Sequence, residues 1–338
     1  MKILAPINSA EDIDILNPNK YNTEFFCGYL PNWWIKEYNK SGEKTGIIAT
    51  PINNRNGLSA NIIEFDELKK AVKKSKEYGT DLFLVLNAKY YPNYVYDSIK
   101  QYIDEIISAG ITRVIVCDIG MLGYLNEYYP LLKVSVSCLN QVTNSMAVKF
   151  YSNFSNVDRI VFPRHMSVHE IENIVQEYPK MEFEYFIFSN KCLYDDGYCR
   201  GIHEFTPICK DDYLPKYYTR EIYTLLDKEQ EIYKKKDCEF YNWTNNIANS
   251  EIKGYCSANF GCTACSLTKL SKYNNVVSVK LSIRGHDVTE RLRQVEMADA
   301  VLKAMQCDKC NETMVKKIIS TMYGKDDLCE SGIACIMV

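Results

Sequence analysis

The sequence lacks any run of about eighteen apolar residues, the least that spans a bilayer as a helix, so no membrane span is expected in its 338 residues. It opens Met1-Lys2-Ile3-Leu4-Ala5-Pro6, with no long apolar stretch before a cleavage site. No export signal is therefore expected, and a cytoplasmic location is predicted. Excess charge is also lacking: 40 Lys and Arg stand against 43 Asp and Glu, a net charge of −3. The one compact basic run, Lys234-Lys235-Lys236, has acids on both sides and reads as a solvated helix face. Such a balance does not advertise a general nucleic-acid binder, though a structured RNA substrate stays open. Histidine is scarce, with only His165, His169, His203 and His286. There is no Gly-x-Ser-x-Gly elbow, His-Glu-x-x-His pair, P-loop or Gly-x-Gly-x-x-Gly turn. His203, close after Cys199, is the histidine to watch, either as a donor to a bound group or as a surface residue.

Cysteine is what the chain has in plenty. Fourteen are present, and all but Cys27, Cys117 and Cys138 follow residue 190. In a reducing compartment such a count argues for metal or redox chemistry rather than disulfides. Cys192 and Cys199 enclose six residues, with Gly197 offering a place to fold back, and Cys262 and Cys265 enclose two. Together they supply the four soft thiolates that an iron–sulfur cluster takes. Cys209 and Cys256 are substitutes, and a structural zinc site is the rival use of the same thiols. Cys307, Cys310, Cys329 and Cys335 are enough for a second cluster or a zinc ion in the tail. The spacing of the radical S-adenosylmethionine enzymes is absent, since Cys256, Cys262 and Cys265 have five and two residues between them. Cys27, Cys117 and Cys138 fall in expected strands and read as small buried hydrophobes.

Short apolar runs alternate with amphipathic stretches. Expected strands cover Lys2–Pro6, Glu24–Leu30, Leu82–Asn87, Arg113–Asp118, Lys133–Cys138, Arg159–Pro163, Glu184–Ser189 and Val276–Ile283, each near the length of a buried parallel strand. Expected helices include Asp66–Tyr78, with Leu68, Ala71, Val72 and Ser75 on one face, and Asp97–Ala109, with Ile99, Tyr102, Ile103, Ile106 and Ile107. Ser167 and Glu170 have the spacing of a capping box that opens a helix on Ile171, Ile174 and Val175. A last helix, Asp287–Met305, carries Val288, Leu292, Val295, Ala298 and Leu302. Eight strands with helical connections predict an α/β chain with a (β/α)8 TIM-barrel-like domain over 1–305, a doubly wound sheet being the alternative. A cysteine-rich insertion, 190–275, follows strand seven, and 306–338 forms a small cysteine-containing tail.

A barrel builds its active site at the C-terminal ends of its strands. Asn87, Asp118, Ser137, Arg164 and Arg284 lie at such ends, and Cys192 and Cys199 follow the seventh strand directly. Arg164, Lys280 and Arg284 are candidates to hold a carboxylate or phosphate. Asp118 and Glu184 are candidates to move protons, and Asn87, Ser137 and Asn144 to orient a substrate. For each, the competing role is a structural polar residue of the barrel.

These residues resemble the peptidase U32 family of collagenase-like proteins. Leu4-Ala5-Pro6 is similar to its opening, Val85-Leu86-Asn87-Ala88 to a strand end, and Asp118-Ile119-Gly120 to its Asp-x-Gly. Ser135-Val136-Ser137 with Asn144, Arg164 with Ser167, and Ser278-Val279-Lys280 with Arg284 match further stretches, as does the spacing of Cys192 and Cys199. The likeness runs over roughly residues 2–305. It departs at Phe188, where the family commonly has histidine, and at Ser282-Ile283, where it has Glu-Gly. The resemblance implies a barrel and a four-iron, four-sulfur (4Fe–4S) cluster on Cys192, Cys199, a nearby cysteine such as Cys209, and Cys262 or Cys265. It implies an oxygen-independent hydroxylase acting on RNA pyrimidines or a quinone precursor, with a prephenate-like small molecule as oxygen donor, and relatives that work in pairs.

Three functions follow. The first is a cluster-dependent hydroxylase or related redox enzyme for an aromatic, nucleobase or peptide substrate. The second, a peptidase, needs a nucleophile with its base or an open hydrolytic metal, and the sequence offers neither. The third is a non-catalytic scaffold or electron-transfer subunit, with Trp33-Trp34 and the tail cysteines either marking a surface for a partner subunit or packing against the barrel.

Overall fold

The structure is a computed structural model that describes residues 1–38, 52–55, 58–189, 197, 261–307, 309–324, 328–330 and 334–336. Its strands are β1 (Lys2–Pro6), β2 (Thr23–Tyr29), β3 (Asn61–Ile62), β4 (Leu82–Leu86), β5 (Arg113–Val116), β6 (Lys133–Val136), β7 (Val157–Val161), β8 (Glu182–Ser189), β9 (Gly261–Cys262) and β10 (Val276–Leu281). Eight of them run parallel in the order β1-β2-β4-β5-β6-β7-β8-β10. The ring closes because β1 pairs on both sides, Ile3 with Thr23 of β2 and with Val279 of β10. All eight expected strands are therefore present, in a closed barrel rather than an open sheet. The two-residue strands β3 and β9 were not foreseen. β3 extends β2 in parallel, and β9 runs antiparallel on the end of β8, Phe188 opposite Cys262.

The described helices are α1 (Glu11–Leu16), α2 (Pro18–Tyr21), α3 (Asn32–Tyr38), α4 (Phe65–Glu77), α5 (Tyr96–Ser108), α6 (Ile119–Tyr128), α7 (Ser145–Tyr151), α8 (Val168–Glu177), α9 (Leu267–Leu270), α10 (Val288–Ala304) and α11 (Glu312–Tyr323). They form because apolar residues recur every third or fourth position and face the sheet. α4 buries Leu68, Ala71, Val72 and Ser75, the face expected. α8 opens on the full capping box of Ser167 and Glu170 and buries Ile171, Ile174 and Val175.

Two expectations are corrected, and between two readings of a third feature the structure decides. Ile107 of α5 is 41% exposed, because the buried stripe stops at Ile106. The buried face of α10 takes in Arg291 and Gln294, while Val288, Leu292 and Leu302 are only partly buried. Arg291 can turn inward because its guanidinium donates to Asp12 at 2.6 Å and to the Pro6 carbonyl at 3.1 Å. Trp34 is fully buried, its ring 4.6 Å from that of Tyr38, and Trp33 donates to Glu105 at 2.7 Å. This pair serves the chain's own packing and is not a free docking surface.

Each barrel strand sends alternate residues to opposite faces. Outward residues such as Ile3, Phe25, Leu84, Val114, Val134 and Ile160 join one continuous core with the helices. Inward residues Leu4, Phe26, Phe83, Val85 and Ile115 form a separate, smaller cluster in the lumen. The tail packs onto the barrel layer: α11 buries Val315, Ile319 and Tyr323, and Arg293 of α10 donates to the Met322 carbonyl at 3.0 Å. No described helix is long and apolar enough to cross a membrane.

Candidate active site

Other buried inward positions carry charge. Arg159 of β7 reaches Glu24 of β2 and, at 3.3 Å, Glu184 of β8. The other oxygen of Glu184 accepts from Lys280 of β10 at 2.8 Å. All four are buried, two acids against two bases. Burial disfavours the Arg159 cation, but Glu24 and Glu184 more than reverse this and hold its pKa above the ordinary value. The cations also lie over aromatic faces, Arg159 at 4.9 Å from the Phe83 ring and Lys280 at 4.3 Å from that of Phe26.

Above this layer, at the C-terminal ends of the strands, lies a pocket. Asn54, Arg55, Asn87, Ser137, Cys138, Arg164, Lys280, Ser282 and Arg284 line it with Phe26, Val85, Ile115, Leu139, Val161 and Phe186. Four of the described lining residues are cationic, and none is aspartate, glutamate or histidine. Asn53 ties the cations together. Its Oδ1 accepts from Arg284 at 2.7 Å and from the Arg55 backbone N–H at 3.0 Å. Its Nδ2 donates to Asn61 at 2.8 Å. Arg55 itself donates to the carbonyls of Arg284 and Ser282, at 2.6 and 3.2 Å. Gly28 of β2 makes room for this ladder, since a Cβ there would sit 2.0 Å from Asn61 Oδ1.

The structure brings five of the eight proposed catalytic residues to the pocket wall: Asn87, Ser137, Arg164, Lys280 and Arg284. Asn87 accepts from the Asn54 N–H at 3.0 Å, Ser137 caps the turn Cys138–Asn140, and Arg164 lies 5.5 Å over the Phe186 ring. Glu184 is one layer below and positions Lys280. Asp118 and Asn144 are elsewhere: each caps a helix, accepting from Met121 N at 2.6 Å and from Ala147 N at 2.9 Å. Asn144 is exposed, so it does not reach a substrate in this pocket. Cys27 and Cys117 are buried as expected, and burial pushes both thiols up to about 12. Cys138 is a correction. β6 ends at Val136, and Cys138 is half-buried on the turn beyond it, facing the pocket.

Sequence reasoning missed Asn53, Asn54, Arg55 and Asn61. They follow β2 in a polar stretch without periodicity, and the run Asn53-Asn54-Arg55-Asn56 was their one local signal. Cys192, Cys199, Cys209 and His203 lie outside the described residues. Gly197, which lies between Cys192 and Cys199 in sequence, is described, and it rests against Leu139 at the pocket's rim. A Cβ at Gly197 would come within 2.8 Å of the Leu139 carbonyl oxygen and 2.5 Å of Gln141 Cγ. Cys262 and Cys265 are half-buried free thiols at β9 and the turn after it. Burial pushes Cys265 up to about 11.

A family model described as "Peptidase family U32" matches residues 49–325, well over half of the chain. Among curated proteins, the "Uncharacterized protease MJ0090" of Methanocaldococcus jannaschii is 29% identical over 40% of this chain and 33% of its own length. "tRNA hydroxylation protein P" of Escherichia coli is 23% identical over 41% of this chain and 30% of its own. Its namesake from Haemophilus influenzae is 24% identical over 39% and 28%. The matched segments thus span about a third of each relative's length. Among solved structures, that of the U32 peptidase Mk0906 aligns with 56% of this chain and 69% of its own at 15% identity, with a TM-score of 0.40.

Proposed function

This chain belongs to peptidase family U32, and we propose that within it the chain is an oxygen-independent, iron–sulfur-dependent hydroxylase of RNA nucleobases. One observation carries the reading: a pocket with four cations and no acid among its described lining residues, with Gly197, between Cys192 and Cys199 in sequence, against its rim. Two relatives named for tRNA hydroxylation support it. Without a Cβ, Gly197 packs closely on Leu139 and Gln141, which puts a residue from between Cys192 and Cys199 beside the pocket. A four-iron, four-sulfur cluster there, with Cys192 and Cys199 as ligands, would supply electron transfer. The chain's own residues do the binding. The Arg164 and Arg284 guanidiniums present forks that match phosphate or a carboxylated oxygen donor. Glu184 accepts from Lys280 at 2.8 Å and fixes it beneath them. Asn87 and Ser137 offer hydrogen bonds to a base edge, and Phe26, Val85 and Phe186 keep water from its face.

Nucleoside mass spectrometry on RNA from cells with and without the gene tests this. A hydroxylated pyrimidine is expected to vanish with the gene and to return with the wild-type chain but not with Arg164→Ala. Iron and acid-labile sulfide, about four of each per anaerobically purified chain, are expected alongside. Unchanged nucleosides, together with cleavage of a peptide substrate, would replace this reading with a peptidase.

A further inference from the structure

The loop after β4 leads straight out of the pocket wall. Asn87 lines the pocket, Ala88 is buried, and Tyr90 and Tyr94 follow at 64% and 69% exposure. Three steps of chain separate Tyr90 from Asn87, a reach of about 11 Å at most. The loop is anchored from both sides. Tyr91 is buried, and its hydroxyl donates at 2.5 Å to the carbonyl of Ile52, the residue before Asn53 of the polar ladder. Val95 is fully buried, and Pro92 fixes one backbone torsion between the two exposed rings. The Tyr94 ring lies 6.4 Å from that of Tyr38, whose hydroxyl donates to Ser98 of α5 at 2.8 Å. Two broad aromatic faces are therefore held in place at the mouth of the barrel and shown to water. The neighbouring strands continue this arc with apolar but non-aromatic side chains. Ile119 opens α6 after β5, and Met146 lies in the first turn of α7 after β6, at 54% and 70% exposure.

We propose that Tyr90 and Tyr94 form a stacking platform for the single-stranded RNA nucleotides that flank the base held in the pocket. This rests on the RNA reading above and adds where the rest of the strand runs. A base that enters the pocket has to leave its stack, and its neighbours lose a face. Tyrosine rings replace that face for any base, because every base has a π surface. The charge agrees with such an occupant. The loop Asn87–Tyr96 carries Lys89 and no acid, and it adjoins a pocket wall with four cations. A phosphate chain that leaves the pocket over this arc meets no carboxylate of the loop. The division of labour follows. The pocket selects the base, and the tyrosines add affinity for its neighbours without reading their sequence.

Fluorescence anisotropy with the full chain and a labelled single-stranded oligouridylate tests it. The dissociation constant is expected to rise about tenfold or more in the double variant Tyr90→Ala, Tyr94→Ala. Tyr90→Phe, Tyr94→Phe keeps both faces and is expected to stay within about twofold of wild type, which guards against a loop that has merely misfolded. Ile119→Ser, Met146→Ser is expected to bind like wild type, because these side chains have no ring. So is Tyr128→Ala, an exposed tyrosine at the far end of α6. Equal affinity in wild type and the alanine variant, a phenylalanine variant as weak as the alanine one, or an equal loss with Ile119 and Met146 would each overturn the platform. Those results leave the hydroxylase reading standing, since the modified nucleoside in cells reports it separately. A wild-type chain that binds no oligouridylate, with cellular nucleosides unchanged, overturns both.

Discussion

On the outer face of the barrel, Leu84, Val114, Val134 and Ile160 meet helix residues such as Ile103, Ile106 and Leu125, and every one of these side chains is apolar and fully buried. On the inner face Glu24 of β2, Arg159 of β7, Glu184 of β8 and Lys280 of β10 are buried and paired with one another, with Lys2 and Glu182 as further partners of Glu24 and Arg159. The shell is cohesive through area removed from water and tolerates small changes in shape. The lumen depends on exact pairing, because a buried charge without its partner costs several kcal/mol. The shell therefore carries the fold, and the lumen carries a rigid floor for the pocket above it. Lys280 belongs to both floor and pocket, which is how structural pairing below is passed to binding above.

The comparison is tested most severely by Arg159→Met. It takes from buried Glu24 its nearest partner, leaving Lys2 at 3.7 Å, and from Glu184 one of its two, and the expected loss of unfolding free energy is about 3–5 kcal/mol in urea denaturation. The double variant Glu24→Gln, Arg159→Met is expected to lose less than the single. Leu84→Ala in the shell is expected to cost about 3 kcal/mol by cavity formation in the same assay. A lumen variant milder than this one would erase the distinction between the two regions.

A smaller effect separates floor from pocket. Arg164→Lys keeps the charge but loses the planar fork. RNA hydroxylation is expected to fall about tenfold, or roughly 1.4 kcal/mol, with the urea midpoint unmoved. The least effect lies at the bottom rim, where Asp158 faces Arg113 at 3.1 Å. Burial, opposed by Arg113, leaves the Asp158 carboxyl above its ordinary value. A carboxyl raised by folding binds its proton more tightly in the folded state. Its contribution is then fully present below the unfolded pKa and is lost as pH rises through the folded one. Asp158→Asn lacks that loss. Its stability relative to wild type is expected to rise between pH 3 and pH 7 by less than about 1 kcal/mol, as read from urea midpoints across that range.

Much of the shell was legible in the sequence. The stripe Leu68, Ala71, Val72, Ser75 and the capping box at Ser167 are short-range patterns, and short-range periodicity is what packs a helix on a sheet. Where the reading slipped, a polar partner had intervened. Arg291 enters the core of α10 only because Asp12 waits there, 279 residues away in sequence. Polar strand ends were legible as a class, but the spacing of Asp118 and Asn144 suits a helix cap as well as a pocket, and nothing local decides between them.

The sequence by itself determined the eight barrel strands, the buried faces of α4 and α8, and the presence of cysteines in excess of any packing need. Local periodicity carries that information, because residues a few positions apart share a face whatever the rest of the chain does. Only the tertiary structure decided which polar groups meet. Closure of the ring sets Glu24 beside Arg159 and Arg159 beside Glu184, and Asn53 reaches Arg284 across 231 positions. The same long-range closure set Cys262 beside Cys335 rather than leaving the tail cysteines to themselves. Pairing of this kind depends on the register of strands far apart in sequence, and no local pattern records it.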